Sequence, residues 1–365
     1  MTSPILVVSL NPALDVTHHL SSVDWAGVNR PQRVTARPGG KGLNVAFTLR
    51  ALGAAARVVG VAGGAAGAAV RDGAAAGGVP ATFTPVGGET RRSFTVVDAG
   101  RGQAAVFNEP GPEVSAEEFA AFLAAYLTEL ATASVVVLTG SLPPGLGPGS
   151  YAELIATARR AGVPAVLDTG GEALRLGAAA GPEIIKPNLA ELELAAGHSL
   201  RAPSAPGHAG QTARDQATAS LPPNADLATA QMATPKVATA EHSARGQVTA
   251  DLAAVAAAAR DLLASGARSA VVSLGPDGLL GMAGQDCWHV ASPEVEVRNP
   301  TGAGDAVVAG LALGLARGWK WPDRLRHAAA LGAATVASPV AGEFDRAEYE
   351  RLRASFAGPG LTGSA

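Results

Sequence analysis

With one cysteine, Cys287, in its 365 residues, the chain has no intrachain disulfide, and that thiol reads as packed rather than reactive. The pair His18-His19 has no Cys or His neighbours at metal-ligand spacing and reads as polar surface. Charge is also sparse: 16% of residues carry it, and the net is −3. The chain therefore lacks the basic field that nucleic acid or an anionic membrane would need. Aromatic residues make up only 4%, so Ala and Gly carry much of the 47% hydrophobic content. Long apolar runs are missing too. Mean hydropathy is +0.20, yet no stretch of roughly 18 apolar residues escapes a charge or a Gly/Pro break, which excludes spanning helices. Met1–Leu10 lacks the basic start and cleavage site of a signal peptide, so the expected location is cytoplasmic.

What remains is an alternation of strand and helix. Ile5–Leu10, Arg57–Val61, Val135–Thr139, Ala165–Asp168, Ile184–Lys186 and Ser269–Leu274 are short continuous apolar runs. Between them, Asn44–Leu52, Ala116–Ala131, Tyr151–Ala161, Leu189–Ala196 and Asp251–Ser265 are helix-like, and the chain after Thr301 reads as mostly helical. Continuous apolar strands alternating with helices predict a doubly wound α/β sheet with a parallel core. Residues 16–34 and 82–107 instead alternate polar and apolar around Gly turns, predicting a small exposed sheet that acts as a lid. Residues 202–248, rich in Ala, Thr, Pro, Gln and Ser, read as a low-complexity insert too poor in apolar residues to offset its own ordering entropy.

Four segments carry chemistry. In Asn299-Pro300-Thr301-Gly302-Ala303-Gly304-Asp305 a Gly-rich turn opens a helix. Free N–H groups and the positive end of the helix dipole suit a phosphate. Asp305 in the first turn is placed to take the proton of an attacking hydroxyl, or else merely complements the dipole. Pro38-Gly39-Gly40-Lys41-Gly42-Leu43-Asn44 opens another helix as an anion-friendly nest. It is not a Walker A loop, because Gly follows Lys41 and the glycine spacing differs. Asn11-Pro12-Ala13-Leu14-Asp15 follows the first strand, where ligands of open α/β sheets bind, and Asp15 suits two sugar hydroxyls or an ordinary turn. In Lys186-Pro187-Asn188-Leu189-Ala190-Glu191, Asn188 and Glu191 share a helix face. That pair suits either the water shell of Mg²⁺ or a capping box. Arg91 and Arg92 lie in the expected lid, where a guanidinium can clamp a phosphate.

Together these segments resemble the ribokinase-like (PfkB) carbohydrate kinases, over a single domain interrupted by the insert. Leu10–Asp15, Thr90-Arg91, Asn108-Glu109-Pro110-Gly111-Pro112, Thr139–Gly145 and Asp168–Leu174 are most similar to the hexose-phosphate branch, with 1-phosphofructokinase and tagatose-6-phosphate kinase. The resemblance implies an ATP- and Mg²⁺-dependent kinase acting on a hexose phosphate, foremost fructose 1-phosphate. It implies Asp305 as base, with Gly302, Ala303 and Gly304 as the anion hole. Asp15, Gly39, Gly40, Asn44 and Ser141 would hold the sugar, and Lys41 and Arg91 its phosphate. Lys186, Asn188, Ser273, Gly275 and Gly278 would serve ATP, and Glu191 Mg²⁺ through water. Lid strands pairing between two copies would make a homodimer. Ser93 stands where this branch commonly has Asn.

Overall fold

The computed structural model describes residues 3–201 and 250–356; the expected insert at 202–248 lies outside the described residues. In chain order the strands are β1 (Ile5–Ser9), β2 (Ala13–Leu20), β3 (Arg33–Gly39), β4 (Ala56–Ala62), β5 (Ala81–Pro85), β6 (Arg92–Asp98), β7 (Gln103–Asn108), β8 (Val135–Thr139), β9 (Ala165–Asp168), β10 (Ile184–Ile185), β11 (Ser269–Ser273), β12 (Leu279–Ala283) and β13 (Asp286–Val290). The helices are α1 (Lys41–Ala51), α2 (Gly64–Ala76), α3 (Ala116–Leu130), α4 (Ser150–Arg160), α5 (Gly171–Ala179), α6 (Leu189–Ala196), α7 (Leu252–Ala264), α8 (Ala303–Ala316), α9 (Trp321–Val336) and α10 (Arg346–Ser355).

Nine strands form one sheet in the order β13-β12-β11-β10-β9-β8-β1-β4-β5. From β11 to β5 every neighbour is parallel, and β12 and β13 close one edge antiparallel. Alternation along β1 shows why its strand is apolar throughout: Leu6 and Val8 enter one core and Ile5 and Val7 the other, on opposite faces of the sheet. Burying one such side chain contributes about 1.5–3 kcal/mol. The scarcity of aromatic residues finds its use in α8, which is buried continuously from Asp305 to Gly314. A Cβ on Gly310 would stand 2.8 Å from the Cα of Ala328 in α9, so small residues let these two helices approach closely.

The second sheet has the order β3-β2-β6-β7, with β2 and β6 parallel and both outer pairs antiparallel. One boundary differs from the sequence reading. Residues 81–85 form β5 of the large sheet, pairing with β4, so the second lid segment begins only at Arg92. Helix α1 starts at Lys41, three residues before the expected Asn44. Helices α2 and α5 had not been anticipated. In α2 the buried positions are Ala66, Gly67, Val70 and Ala74, too small to raise an apolar period. Lid and helix touch at Gly73 of the same helix, where a Cβ would meet the Pro38 ring at 2.6 Å.

Candidate active site

Parallel strands deliver their carboxyl ends to one edge of the sheet, and a cleft of about 2030 Å³ opens there beneath the small sheet. Ser9 ends β1, Thr139 ends β8, Asp168 ends β9, Lys186 follows β10 and Ser273 ends β11; all line this cleft. So do Asp15, Gly40, Lys41, Asn44, Arg91, Ser141, Asn188, Glu191, Gly275, Gly278, Gly302, Ala303, Gly304 and Asp305. Among the site residues that the resemblance implied, Gly39 alone does not line it. Its place is behind Asp15, whose carboxylate would collide with a Cβ at that position.

Asp305 is the third residue of α8 and is 6% exposed. The turn before it needs glycine. Gly302 has φ 87°, and a Cβ there would stand 2.5 Å from the Cα of Gly342. At the start of α8 the Ala303 N–H donates to the Pro300 carbonyl at 3.3 Å, and the N–H groups of Gly304 and Asp305, two residues that line the cleft, have no partner within the helix. Asn44, one turn along α1 from Lys41, donates from Nδ2 to Asp305 Oδ2 at 2.8 Å. Burial, reinforced by the nearby negative charge of Asp168, raises the Asp305 carboxyl from 3.8 to about 7, against the opposing effect of Asn44. A carboxyl group so tuned is ionised half the time at neutral pH and is a competent proton acceptor.

Asp168 is the residue sequence reasoning left without a role. It is 1% exposed, and two ammonium groups converge on it: Lys41 Nζ at 3.1 Å and Lys186 Nζ at 3.0 Å. Thr139 Oγ1 also donates to it at 2.9 Å. Burial alone would raise this carboxyl, but Lys186 and then Lys41 outweigh it and hold it below the usual range. Lys41 is itself held above its ordinary range: burial opposes this, and Asp168, Asp305 and Glu191 prevail. The signal available for Asp168 was its position at the carboxyl end of a parallel strand, directly before Thr169-Gly170-Gly171.

Lys41, read with Arg91 as meeting the acceptor's phosphate, reaches toward Asp168 and to 4.0 Å from Glu191 Oε1. Arg91 points its Nε at the carbonyl oxygen of Asn11, 3.2 Å away. Asn188 and Glu191 form the capping box of α6: Asn188 Oδ1 accepts from the Glu191 N–H and Glu191 Oε2 from the Asn188 N–H, each at 2.8 Å. That leaves Glu191 Oε1 facing Lys41. Asp15 sits on β2, where burial pushes its carboxyl up while Arg37 and Arg91 oppose the rise.

Asn11 is a further residue that sequence reasoning passed over except as part of a motif. Its Nδ2 donates to the Pro110 carbonyl at 2.9 Å and to Ser141 Oγ at 3.1 Å, so it ties the end of β7 to the loop after β8.

The model of the pfkB family of carbohydrate kinases matches residues 11–223 and 225–346. Phosphofructokinase-2 from Escherichia coli, solved with potassium, is 26% identical, with a TM-score of 0.80 over 97% of this chain and 99% of that one. The same Escherichia coli enzyme solved with fructose-6-phosphate superposes at 0.77, with 26% identity over 97% and 99%. A possible 1-phosphofructokinase from Thermotoga maritima is 22% identical, with a TM-score of 0.74 over 99% and 98%, and shares the fold.

Proposed function

The chain belongs to the pfkB family of carbohydrate kinases and is an ATP-dependent sugar kinase; from that premise we propose that its acceptor is a hexose monophosphate, foremost fructose 1-phosphate, converted to fructose 1,6-bisphosphate. The observation that carries the reading is the single cleft that holds both a buried carboxyl raised to about 7 and, at its lid, an arginine with no carboxylate on its guanidinium. Asp305 takes the proton of the acceptor's primary hydroxyl as that oxygen attacks the γ-phosphate. Asn44 keeps the carboxylate aimed. The N–H groups of Gly302–Gly304 meet the charge that grows on the transferring group. Asp15 and Gly40 hold sugar hydroxyls, and Arg91 and Ser141 the acceptor's far end. Lys41 and Lys186, gathered by Asp168, meet the phosphates of ATP, which lies against Ser273, Gly275 and Gly278.

Mg²⁺ is implied by the family. Among the described residues no three His, Cys, Asp or Glu side chains stand close enough to hold an ion by themselves. Glu191 keeps one carboxylate oxygen outside its cap, which fits a cation held through water and the phosphates of ATP. Bound so, the ion would neutralise charge on the β- and γ-phosphates. The lid closes over the acceptor and excludes water, which suppresses ATP hydrolysis. Two copies pair through the lid, whose outer strands β3 and β7 carry exposed Val34 and Phe107. The protein works in the cytoplasm; among the described residues no helix is long and apolar enough to cross a membrane.

A coupled ADP-release assay with MgATP tests the acceptor across fructose 1-phosphate, fructose 6-phosphate, tagatose 6-phosphate and fructose. We expect fructose 1-phosphate to lead by tenfold or more in kcat/KM, about 1.4 kcal/mol of discrimination. A second reading, fructose 6-phosphate, is favoured by the 26% identity to the enzyme solved with that sugar phosphate. A lead for that acceptor would keep the mechanism and replace the substrate. Sugar phosphate bound without turnover would point to a regulatory protein and sink the mechanism.

A further inference from the structure

The small sheet brings four polar residues into one row. Register pairs Arg37 of β3 with Asp15 of β2, Asp15 with Ser93 of β6, and Ser93 with Asn108 of β7. Neighbouring strands lie about 4.8 Å apart, so the row spans roughly 14 Å. Side chains paired across strands share a face, and Asp15, Ser93 and Asn108 all line the cleft. The row has a direction. A Cβ on Gly342 would stand 3.2 Å from the Arg37 guanidinium and 3.3 Å from Asn44 Oδ1, so the Arg37 end adjoins the residue that holds Asp305. Asn108 marks the opposite end, and Arg91 lies two residues before Ser93, beside the inner strands β2 and β6.

At that far end Ser93 Oγ donates to Asn108 Oδ1 at 2.8 Å. This bond occupies the accepting side of the amide and leaves its Nδ2 hydrogens free to donate. The neighbouring carboxylate of Glu109 does not compete for an anion's place. It accepts from the Arg92 N–H at 2.7 Å and from Arg92 Nη2 at 3.2 Å. An attacking hydroxyl at Asp305 puts the acceptor's own phosphate at the other end of the row.

Resting on the proposed acceptor class, we propose that Asn108, with its amide orientation set by Ser93, is a specificity residue that donates to the phosphate-bearing end of the acceptor. Ser93 is then a positioning residue. Its short hydroxyl reaches across one strand spacing to hold Asn108, where a longer side chain at position 93 would enter the cleft itself.

The test is steady-state kinetics of the full chain and of Asn108→Ala, Asn108→Asp and Ser93→Ala, with fructose 1-phosphate and MgATP varied in turn. Removing one hydrogen bond to a charged group predicts about a tenfold rise in the KM for the sugar phosphate in Asn108→Ala, with the KM for MgATP unmoved. Asn108→Asp faces the phosphate with a like charge and raises the KM by roughly a hundredfold. Ser93→Ala, which loosens the amide without removing it, raises it about threefold. An unchanged sugar-phosphate KM in Asn108→Ala overturns the proposal, and so does an equal loss toward MgATP and sugar phosphate. Failure of the parent protein to turn over any hexose phosphate is read from the parent alone and removes the acceptor class on which the proposal rests.

Discussion

The base cluster and the lid solve opposite problems with polar side chains at different depths. Asp305, Asp168 and Lys186 are almost wholly buried at the edge of a parallel sheet, and each touches another charged or amide side chain. Arg91, Ser93 and Asn108 lie on or beside antiparallel strands that are half open to solvent. Buried charges interact strongly and shift one another's proton affinities, which chemistry requires. Exposed ones are screened and cost little to rearrange, which suits recognition and release of a substrate. Substitutions in the first region should therefore strike kcat and stability, and those in the second should strike the KM of one substrate.

The sharpest division comes from Asp305→Asn, which should lower kcat by about 10³-fold while leaving both KM values near those of the parent. Turnover close to the parent's would break the comparison at its centre. Next is Asp168→Ala, which leaves the buried Lys186 ammonium unpaired and facing the half-exposed one of Lys41. It should cost about 3 kcal/mol or more of folding stability in urea denaturation. Arg91→Ala should raise the KM for the sugar phosphate by roughly 10- to 100-fold with no change in melting temperature.

Acidity offers a subtler contrast. On the proposed mechanism Asp305 works ionised, so kcat/KM should fall about tenfold per pH unit below about 7 and level off above it. Stability runs the other way. The folded carboxyl titrates near 7 and the unfolded one near 3.8, so the fold loses stability as pH rises from about 4 to about 7. Asp305→Asn escapes that loss and should be the more stable protein at pH 8, by up to roughly 4 kcal/mol. Equal stability at pH 8 would mean that the carboxyl is not strained by burial. The smallest effect belongs to the lid surface: breaking the exposed Arg92–Glu109 pair with Arg92→Ala should move stability by less than about 1 kcal/mol.

Much of the large sheet was legible because buried parallel strands leave continuous apolar runs. Val135–Thr139, Ala165–Asp168 and Leu189–Ala196 appear with the bounds read from sequence. Helices α2 and α5 were not, because Ala and Gly fill most of their buried positions and blur a 3.6-residue period. Strand β5, Ala81–Pro85, is an edge strand with one buried residue, so its pattern resembled the lid's. Within the site, the glycine turns announced themselves by composition. Asp168 did not: its importance comes from Lys41 and Lys186 reaching it from positions 127 before and 18 after, a convergence that no local pattern records. For the same reason the reach of Lys41 to Asp168 left no trace in the sequence around the glycine nest.

Consider finally the bond between Asn44 and Asp305, whose partners stand 261 positions apart. A ribosome making this chain has laid down the sugar-holding strands and most of the nucleotide side long before it reaches Asp305. A domain generally folds as a unit, so neither this bond nor the complete cleft forms until α8 has been made. On the proposed mechanism a prematurely terminated product lacking α8 lacks the base and is unable to spend ATP. The order of assembly makes catalysis the last property the polypeptide acquires.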